Sequence, residues 1–393
     1  HKNFGGQLFG DATGPISIVY YQKTFPEKPS NKIAYYAPKT FIKSNVIDGL
    51  SIDDTDLKYL PREECQKPNT NIWKVAMWGG MNDWELISNL FRNNPSFKDY
   101  LTVNNIEFGS GLHPKENEDN KMQAEGIHIE TRKIERYYTH RENTDKINSE
   151  VRKNNVRLFK HPLVVIKEGI TNKHILSSYF DFDVFYNKAV YGFSSKDENK
   201  LKAIATIFNS NFATYFYFLT SSSWGIERDR IVLSEYLMFP YSELNLNIFQ
   251  KLNFADLSFE NTLLNQQKTK FDHQVWEKEI SKLYSLSEDD LIRISDTVSI
   301  SIDLFHKQEK SVALYPVLQS HTKEYGEILS NELNEFLEGQ DLFVNATVYS
   351  IDRFTPLMMI KLSHDNTKND VSISDLSIEK ELKTLDKNLW EKK

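Results

Sequence analysis

The 393-residue chain contains a single cysteine, Cys65. One thiol makes neither an intrachain disulfide nor a multi-cysteine zinc site, and a cytoplasmic setting is the default expectation. Long apolar runs are also missing. The most apolar stretch, Leu201 to Leu219, is interrupted by Lys202, Asn209, Ser210 and Asn211, short of the roughly 18 apolar residues that a membrane span needs. The opening "HKNFGGQLFG" has no basic region followed by an apolar run, so it does not read as a secretory signal. It lacks an initiator methionine, which suggests a fragment or a processed chain. No internal repeat or low-complexity tract is visible. The histidines, among them His113, His128, His140, His161 and His174, show no paired metal-ligand spacing, so no metal site is expected.

What is present is a globular composition, 39% apolar and 26% charged, over a length that exceeds one ordinary core and predicts two or three domains. The net charge of −7 argues at first against a polyanionic partner, but it conceals a gradient. Residues 131–160 hold nine Lys/Arg against four Asp/Glu, whereas from residue 236 onward 17 face 26. Solvated helix faces account for such runs, yet a basic middle followed by an acidic end marks where a polyanion docks.

Patterning gives the elements. "GPISIVYYQK" and "NKIAYYAPK" read as two strands of a β-hairpin joined by the Pro-rich "TFPEKPS". Ile72 to Met77 reads as a buried strand, followed by a Gly-Gly turn and an amphipathic helix from about Asn82 to Pro95. Residues 104–155 are polar and charged, a long loop or small inserted element. "HPLVVIKEGI" and "ILSSYFDFDVFYNKAVYGF" return to strand composition, and "KDENKLKAIATIFNSNFATYFYFLT" predicts a helix capped by Ser195 or Asp197. Its ladder of Ile204, Ile207, Phe208, Phe212, Tyr215, Phe216 and Leu219 is a core face. Beyond Pro240 long helical periods take over, one opened by Ser285 three residues before Glu288 at capping-box spacing. "LFVNATVYSI" and "PLMMIKL" predict a closing hairpin, with a loosely held polar tail after Asp365.

Catalytic chemistry finds little support. The glycine-rich "FGGQLFGDATG" and "FGSGLHP" do not sit between a clear strand and a helix and read as loops. "NPSF", Asn94 to Phe97, approaches the Asn-Pro-Pro-Tyr/Phe signature with which amino-methylating DNA methyltransferases hold an extruded base, but it has serine for the second proline and ends a helix. "DFDVFYNK" offers Asp181 and Asp183 to a nuclease reading, yet the alternation more naturally points both outward from a strand with Phe182 inward. No catalytic residue is expected in the chain.

The stretch "FKHPLVVIKEGITNKHILSSYFDFDVFYNKAVYGFSS", with "IFNS" at 207–210, "YFYFLTSSSWG" at 215–225 and "YLMFP" at 236–240, resembles the TaqI-like specificity domain of bacterial adenine-specific DNA methyltransferases and fused type II restriction-modification enzymes. The resemblance extends over about 15–240, with "GPISIVYYQK" and "KIAYYAPK" similar to the last strands of a methyltransferase domain. With the patterning beyond Pro240, it implies an α/β (α+β) fold in three parts: 1–100, a β-hairpin-containing remnant of a methyltransferase domain; 101–245, a mixed-sheet target-recognition domain; and 246–393, which the patterning alone makes a mostly helical region ending in a β-hairpin. The S-adenosylmethionine and Asn-Pro-Pro-Tyr motifs of the family are absent. The resemblance therefore places the catalytic half, with its S-adenosylmethionine, upstream of His1 or on another polypeptide, and assigns no cofactor here. Its partners are double-stranded DNA and a methyltransferase catalytic domain or subunit, with no membrane.

Under this resemblance the residues sort by the two tasks of DNA recognition, reading base edges and contacting phosphates. Arg228 and Arg230, two apart, point the same way in an extended segment and suit bidentate contacts to guanine or phosphate. Ser221, Ser222, Ser223 and Gly225 allow close backbone approach; Trp224 is of a type that most often packs, though a tryptophan at a loop tip could stack or wedge against DNA. Lys160, His161, Lys167, Asn172 and Lys173 bracket the strand "PLVVIKEGI" and line the same cleft. Arg132, Lys133, Arg136, Arg152, Lys153 and Arg157 supply sequence-independent attraction. Two other readings stand beside this one: a scaffold whose acidic helices after 245 dock a catalytic subunit, and a restriction nuclease subunit acting through Asp181 and Asp183.

Overall fold

The computed structural model of the protein describes residues 17–21, 23, 31–43, 48–52, 56–115, 117–245, 275–315, 317–350, 358–374 and 378–391. The chain is mixed α/β and divides into two compact units, His1–Ala313 and Leu314–Lys393.

Four short strands come first: Lys32–Tyr36 (β1), Thr40–Lys43 (β2), Asp48–Ser51 (β3) and Leu57–Pro61 (β4). β1 pairs antiparallel with β4, and β2 with β3. Among the described residues the hairpin expected from "GPISIVYYQK" and "NKIAYYAPK" does not form. Residues 17–21 are not strand, and Ile18, Val19, Tyr20 and Tyr21 are exposed. β4 is the better partner because it brings an apolar face: Leu60 lies opposite Ile33 and is buried with Ile72 and Ala76.

The helices Arg62–Cys65 (α1), Ile72–Trp78 (α2), Met81–Asn93 (α3) and Phe97–Val103 (α4) follow. α2 replaces the strand expected at Ile72 to Met77. Its buried residues, Ile72, Val75 and Ala76, have helical spacing. α3 lies where the sequence places it. The Asp83 carboxylate accepts the Gly80 N–H at 2.6 Å at its start, and Pro95 disfavours helical geometry at Asn94 at its end. "NPSF" is the turn between α3 and α4, with Ser96 Oγ accepting the Asp99 N–H at 3.1 Å to cap α4.

The central strands are Glu107–Ser110 (β5), Lys121–His128 (β6), Tyr137–Tyr138 (β7), Asp145–Arg152 (β8), Leu163–Lys167 (β9), Ser177–Phe180 (β10) and Val190–Ser194 (β11). Five form a sheet in the order β5-β11-β9-β10-β7, antiparallel except for β7 beside β10. β6 and β8 pair in a separate antiparallel ribbon of eight residues per strand. Residues 104–155, expected as a loop or small insertion, thus supply two sheet strands and this ribbon. Two helices follow, Glu198–Phe208 (α5) and Asn211–Thr220 (α6), then Leu233–Leu237 (α7). The single helix expected over α5 and α6 is two. The chain breaks at Asn209, whose buried amide donates to the Ser177 and Ala205 carbonyls at 2.8 Å, and at Ser210, which caps α6 through the Ala213 N–H at 3.0 Å. Of the two expected caps for α5, Asp197 serves, accepting from the Asn199 and Lys200 N–H groups.

Alternation along β9 gives the sheet two covered faces. Val164 and Ile166 join Tyr179, Tyr191 and Phe193 against Ile204, Ile207 and Phe208 of α5. Leu163 and Val165 join Phe180 and Val190 against Ala124 and Val151 of the ribbon. Helical residues 275–283 (α8) and the helices Glu288–Asp296 (α9) and Ile302–Lys307 (α10) bring Trp276, Ile280, Ile294 and Ile302 to the helix-side core. This unit therefore runs past residue 245, the boundary expected from the change of style in the sequence. α9 is opened by a capping box two residues later than expected. Ser287 Oγ accepts the Asp290 N–H at 3.2 Å, and Asp290 accepts the Ser287 N–H at 3.0 Å.

The second unit contains Gln319–Glu335 (α11), Phe343–Tyr349 (β12), Ile360–Asp365 (β13), Ser372–Ser374 (β14) and Ile378–Glu391 (α12). β12 is central, antiparallel to β13 and parallel to β14. A β-carbon at Gly326 of α11 would come within 3.2 Å of Val348, so glycine lets the helix lie close to the sheet. The tail after Asp365, expected to be loose, carries β14 and α12.

Candidate nucleic-acid interface

α6 delivers the chain into a loop that is more deeply built than its serines suggest. Ser221 is buried, and its hydroxyl accepts the Trp224 N–H at 3.1 Å. Trp224 has no exposed surface and packs edge-on against Phe218. It is a core residue beneath the loop, which leaves no ring to stack on or wedge into DNA. The loop is also fastened from below by α2. Lys74 Nζ donates to the Trp224 carbonyl and Trp78 Nε1 to the Gly225 carbonyl, both at 2.7 Å. Gly225 has φ +78°, and a β-carbon there would lie 2.8 Å from Lys74 Nζ, so both conformation and space require glycine. Ser222 and Ser223 remain at the surface, with the Ser222 N–H already given to Glu235 at 2.6 Å.

Beyond Gly225 the loop is spliced to the end of β9. Ile170 N–H donates to the Asp229 carbonyl and Ile231 N–H to the Glu168 carbonyl, each at 2.9 Å, around a bridge between Gly169 and Arg230. β9 then turns into β10 through Asn172 and Lys173, which have φ of 49° and 68°. Thr171 and His174 exchange backbone hydrogen bonds of 3.0 and 2.9 Å across them, the pattern of a two-residue hairpin turn of type I′. Asn172, Lys173, Arg228 and Arg230 therefore share one sheet end. Arg228 and Arg230 do not lie on an extended segment, because the Arg230 N–H folds back to the Arg228 carbonyl at 2.9 Å. Arg228 is exposed and reaches Glu227 at 3.2 Å; Arg230 is partly covered and reaches Glu168 at 3.5 Å.

Lys173 is engaged by the buried Asp303 of α10, which also takes Lys307 at 3.0 Å, Ser311 Oγ at 2.8 Å and the Val312 N–H at 3.1 Å. The hydrogen bond from Lys173, with those from Lys307 and Ser311, holds the Asp303 carboxyl far below the usual range. His306 of the same helix faces Asp229 at 3.6 Å, and burial lowers its pKa. Each cation of this edge thus has a carboxylate beside it.

The remaining expected residues fall elsewhere. Lys160 and His161 precede β9, at the opposite strand end from Asn172 and Lys173, and both bind Asp183, at 2.7 Å each. Partial burial pushes the Asp183 carboxyl upward, but hydrogen bonds from Lys160 and from the backbone and ring of His161 outweigh it and bring it to about 2. Lys167 is buried within β9, so it lines no cleft. Arg136 is partly covered, donates to the Asn209 carbonyl and stacks over Tyr137, an arrangement that ties β7 to the α5–α6 break. Arg132 and Lys133 pair with Glu130 and Asp145 at 2.5 and 2.7 Å, and Arg157 with Glu107 at 3.3 Å. Arg152 and Lys153 are exposed at the end of the ribbon. Asp181 accepts the Tyr138 hydroxyl at 3.1 Å, and Phe182 is turned inward as expected although the segment is not strand.

The lysines under the loop escape sequence reasoning. Burial lowers Lys74 to about 7, and burial together with Lys39 lowers Lys58 to about 8. Lys58 donates to the Ala76 and Gly79 carbonyls at 2.6 and 2.5 Å and so closes the C-terminal end of α2. A lysine within or beside an apolar run is the one signal the sequence carries for them, and it is indistinguishable from surface charge. Among the described residues no group of three or more His, Cys, Asp and Glu is placed to hold a metal ion, and no helix is long and apolar enough to cross a membrane. No protein-family model and no curated protein matches the chain.

Proposed function

We propose that the chain is a DNA target-recognition module of an adenine-specific methyltransferase or restriction-modification enzyme, positioning duplex DNA for a catalytic half that carries S-adenosylmethionine. The observation that carries this reading is the bridge between Gly169 and Arg230. It joins two cation-bearing surface segments far apart in sequence, Asn172–Lys173 and Arg228–Arg230, at one end of a sheet whose two faces pack mainly against apolar residues. Loops fixed on a rigid sheet are the usual carriers of recognition. Glu227 and Glu168 lie beside the two arginines, and duplex phosphates compete with them for the guanidinium groups.

Binding of labelled random-sequence duplex, followed against salt, tests the reading. The chain should bind at low salt with log K falling linearly in log salt. The paired change Arg228→Ala and Arg230→Ala should weaken binding and reduce the slope by about 1 for each phosphate no longer neutralised. Absence of duplex binding at low salt, with or without a catalytic partner, overturns it.

A further inference from the structure

The ribbon of β6 and β8 has two unlike faces. Ala124 and Val151 are buried against the sheet, and Met122 and Ile147 pack beside them. The other face carries Lys121, Gln123, Glu125, Asn148, Glu150 and Arg152, all exposed. Eight residues at about 3.4 Å each make a ribbon roughly 25 Å long, and a two-stranded ribbon is one of the two elements that the major groove of B-DNA admits. At the centre of the outer face Gln123 Nε2 donates to Asn148 Oδ1 at 2.5 Å. An amide pair joined by one such bond keeps an acceptor on Gln123 and donors on both side chains, the groups that recognise adenine through N6 and N7.

The surroundings fit an anionic duplex better than their composition suggests. Of the three carboxylates here that would repel phosphate, Glu118 and Glu150 are each shared between Lys115 and Lys121, and Glu125 faces solvent without a cation among the described residues. Hydrogen bonds from Lys121 and Lys115 bring the Glu150 carboxyl to about 2, so it stays fully ionised and committed to its lysines. Arg152 and Lys153 lie at one end of the ribbon, and Lys133 lies beside Asp145 at the other.

We propose that the outer face of the β6–β8 ribbon enters the major groove and that Gln123 and Asn148 are specificity-determining residues reading base edges there. The proposal rests on the DNA-recognition reading above and assigns base readout to a surface separate from the loop of Arg228 and Arg230.

The test is selection from a randomised duplex pool by the full chain, comparing wild type with Gln123→Ala/Asn148→Ala. Binding to a single random duplex and thermal unfolding are measured in parallel. The double variant should keep its unfolding midpoint, its random-duplex affinity within about twofold and its salt slope, while discrimination at one or more positions of the selected sequence falls at least about tenfold, as removal of bidentate base readout requires. Gln123→Glu/Asn148→Asp, which replaces donors by acceptors, should shift the preference at those positions toward cytosine. An unchanged selected sequence in both variants overturns the ribbon assignment and leaves DNA binding standing, as does selection of no sequence by a wild type that binds duplex. Failure of the wild type to bind any duplex overturns the DNA-recognition reading and this proposal with it.

Discussion

The two faces of the central sheet are built from alternate residues of the same strands, yet they are covered by different means. On one, helices α5 and α6 and the segment after α7 lay down a nearly continuous aromatic layer, with Phe208, Phe212, Phe216 and Tyr217 each in ring contact with Phe239. On the other, the ribbon covers the sheet with small and aliphatic residues, Ala124, Val151 and Ile147, and its outer surface remains polar. Large rings in mutual contact tolerate little rearrangement. A thin ribbon can change its outer residues without disturbing what lies beneath. The helix side is therefore suited to fixing the fold, and the ribbon side to varying its outer residues, as the proposed recognition role requires.

Substitution on each face breaks the comparison most directly. Phe208→Ala removes a fully buried ring on the helix face and should cost about 3–5 kcal/mol in urea unfolding. Leu163→Ala, equally buried on the ribbon face, should cost about 2–5 kcal/mol, with the larger rise in amide exchange confined to β6 and β8. Equal loosening of α5 and α6 by Leu163→Ala would show that the faces are not independent. The next effect lies within β11. A β-carbon at Gly192 would collide with the Tyr186 hydroxyl, which donates to the Leu158 carbonyl at 2.6 Å. Gly192→Ala should cost about 1–3 kcal/mol, and combining it with Tyr186→Phe should recover part of that cost; additive effects would place the strain elsewhere.

The last effect is a pH dependence peculiar to the helix side. Glu277 of α8 accepts the Asn211 N–H at the start of α6 at 2.7 Å. Burial raises its carboxyl to about 7, against the opposing pull of that N–H and of Arg136. Between the usual carboxylate range and pH 7 the folded chain holds a proton that the unfolded chain releases, so this group's contribution to stability falls as pH rises through that window and levels off above it. Urea midpoints across this range should decline in wild type and decline less in Glu277→Gln; identical slopes would count against the assignment.

Legibility in the sequence follows the same division. The ladder from Ile204 to Leu219 is plain because its apolar residues repeat at helical spacing, and all seven are buried. Only the break at Asn209 escapes, since its cause is a hydrogen bond to Ser177, 32 residues away. The ribbon is hidden because its inward residues are few and weakly apolar, with Ala124 and Gly126 diluting the alternation in β6. α2 reads as a strand because its short apolar-rich run fits either period, and only tertiary packing of Ile72, Val75 and Ala76 decides between them. At the candidate interface, residue types identify Asn172, Lys173, Arg228 and Arg230 as neighbours in kind. The burial of Ser221, Trp224 and Lys167 depends on packing from α2 and α7, to which local sequence gives no access.

The edges of the five-stranded sheet bear on how the chain behaves among copies of itself. An open sheet invites further strands wherever a run of backbone N–H and C=O groups is left unpaired. At one edge β7 is only two residues long, and Tyr137, at φ 68°, turns the backbone out of strand geometry. At the other, the Asn154 side chain donates to the carbonyls of Ser110 and Gly111 at 2.9 and 3.0 Å. The basic segment that contains both devices thus also guards against strand-on-strand polymerisation, a hazard that a polar, charge-rich insertion meets without any additional element.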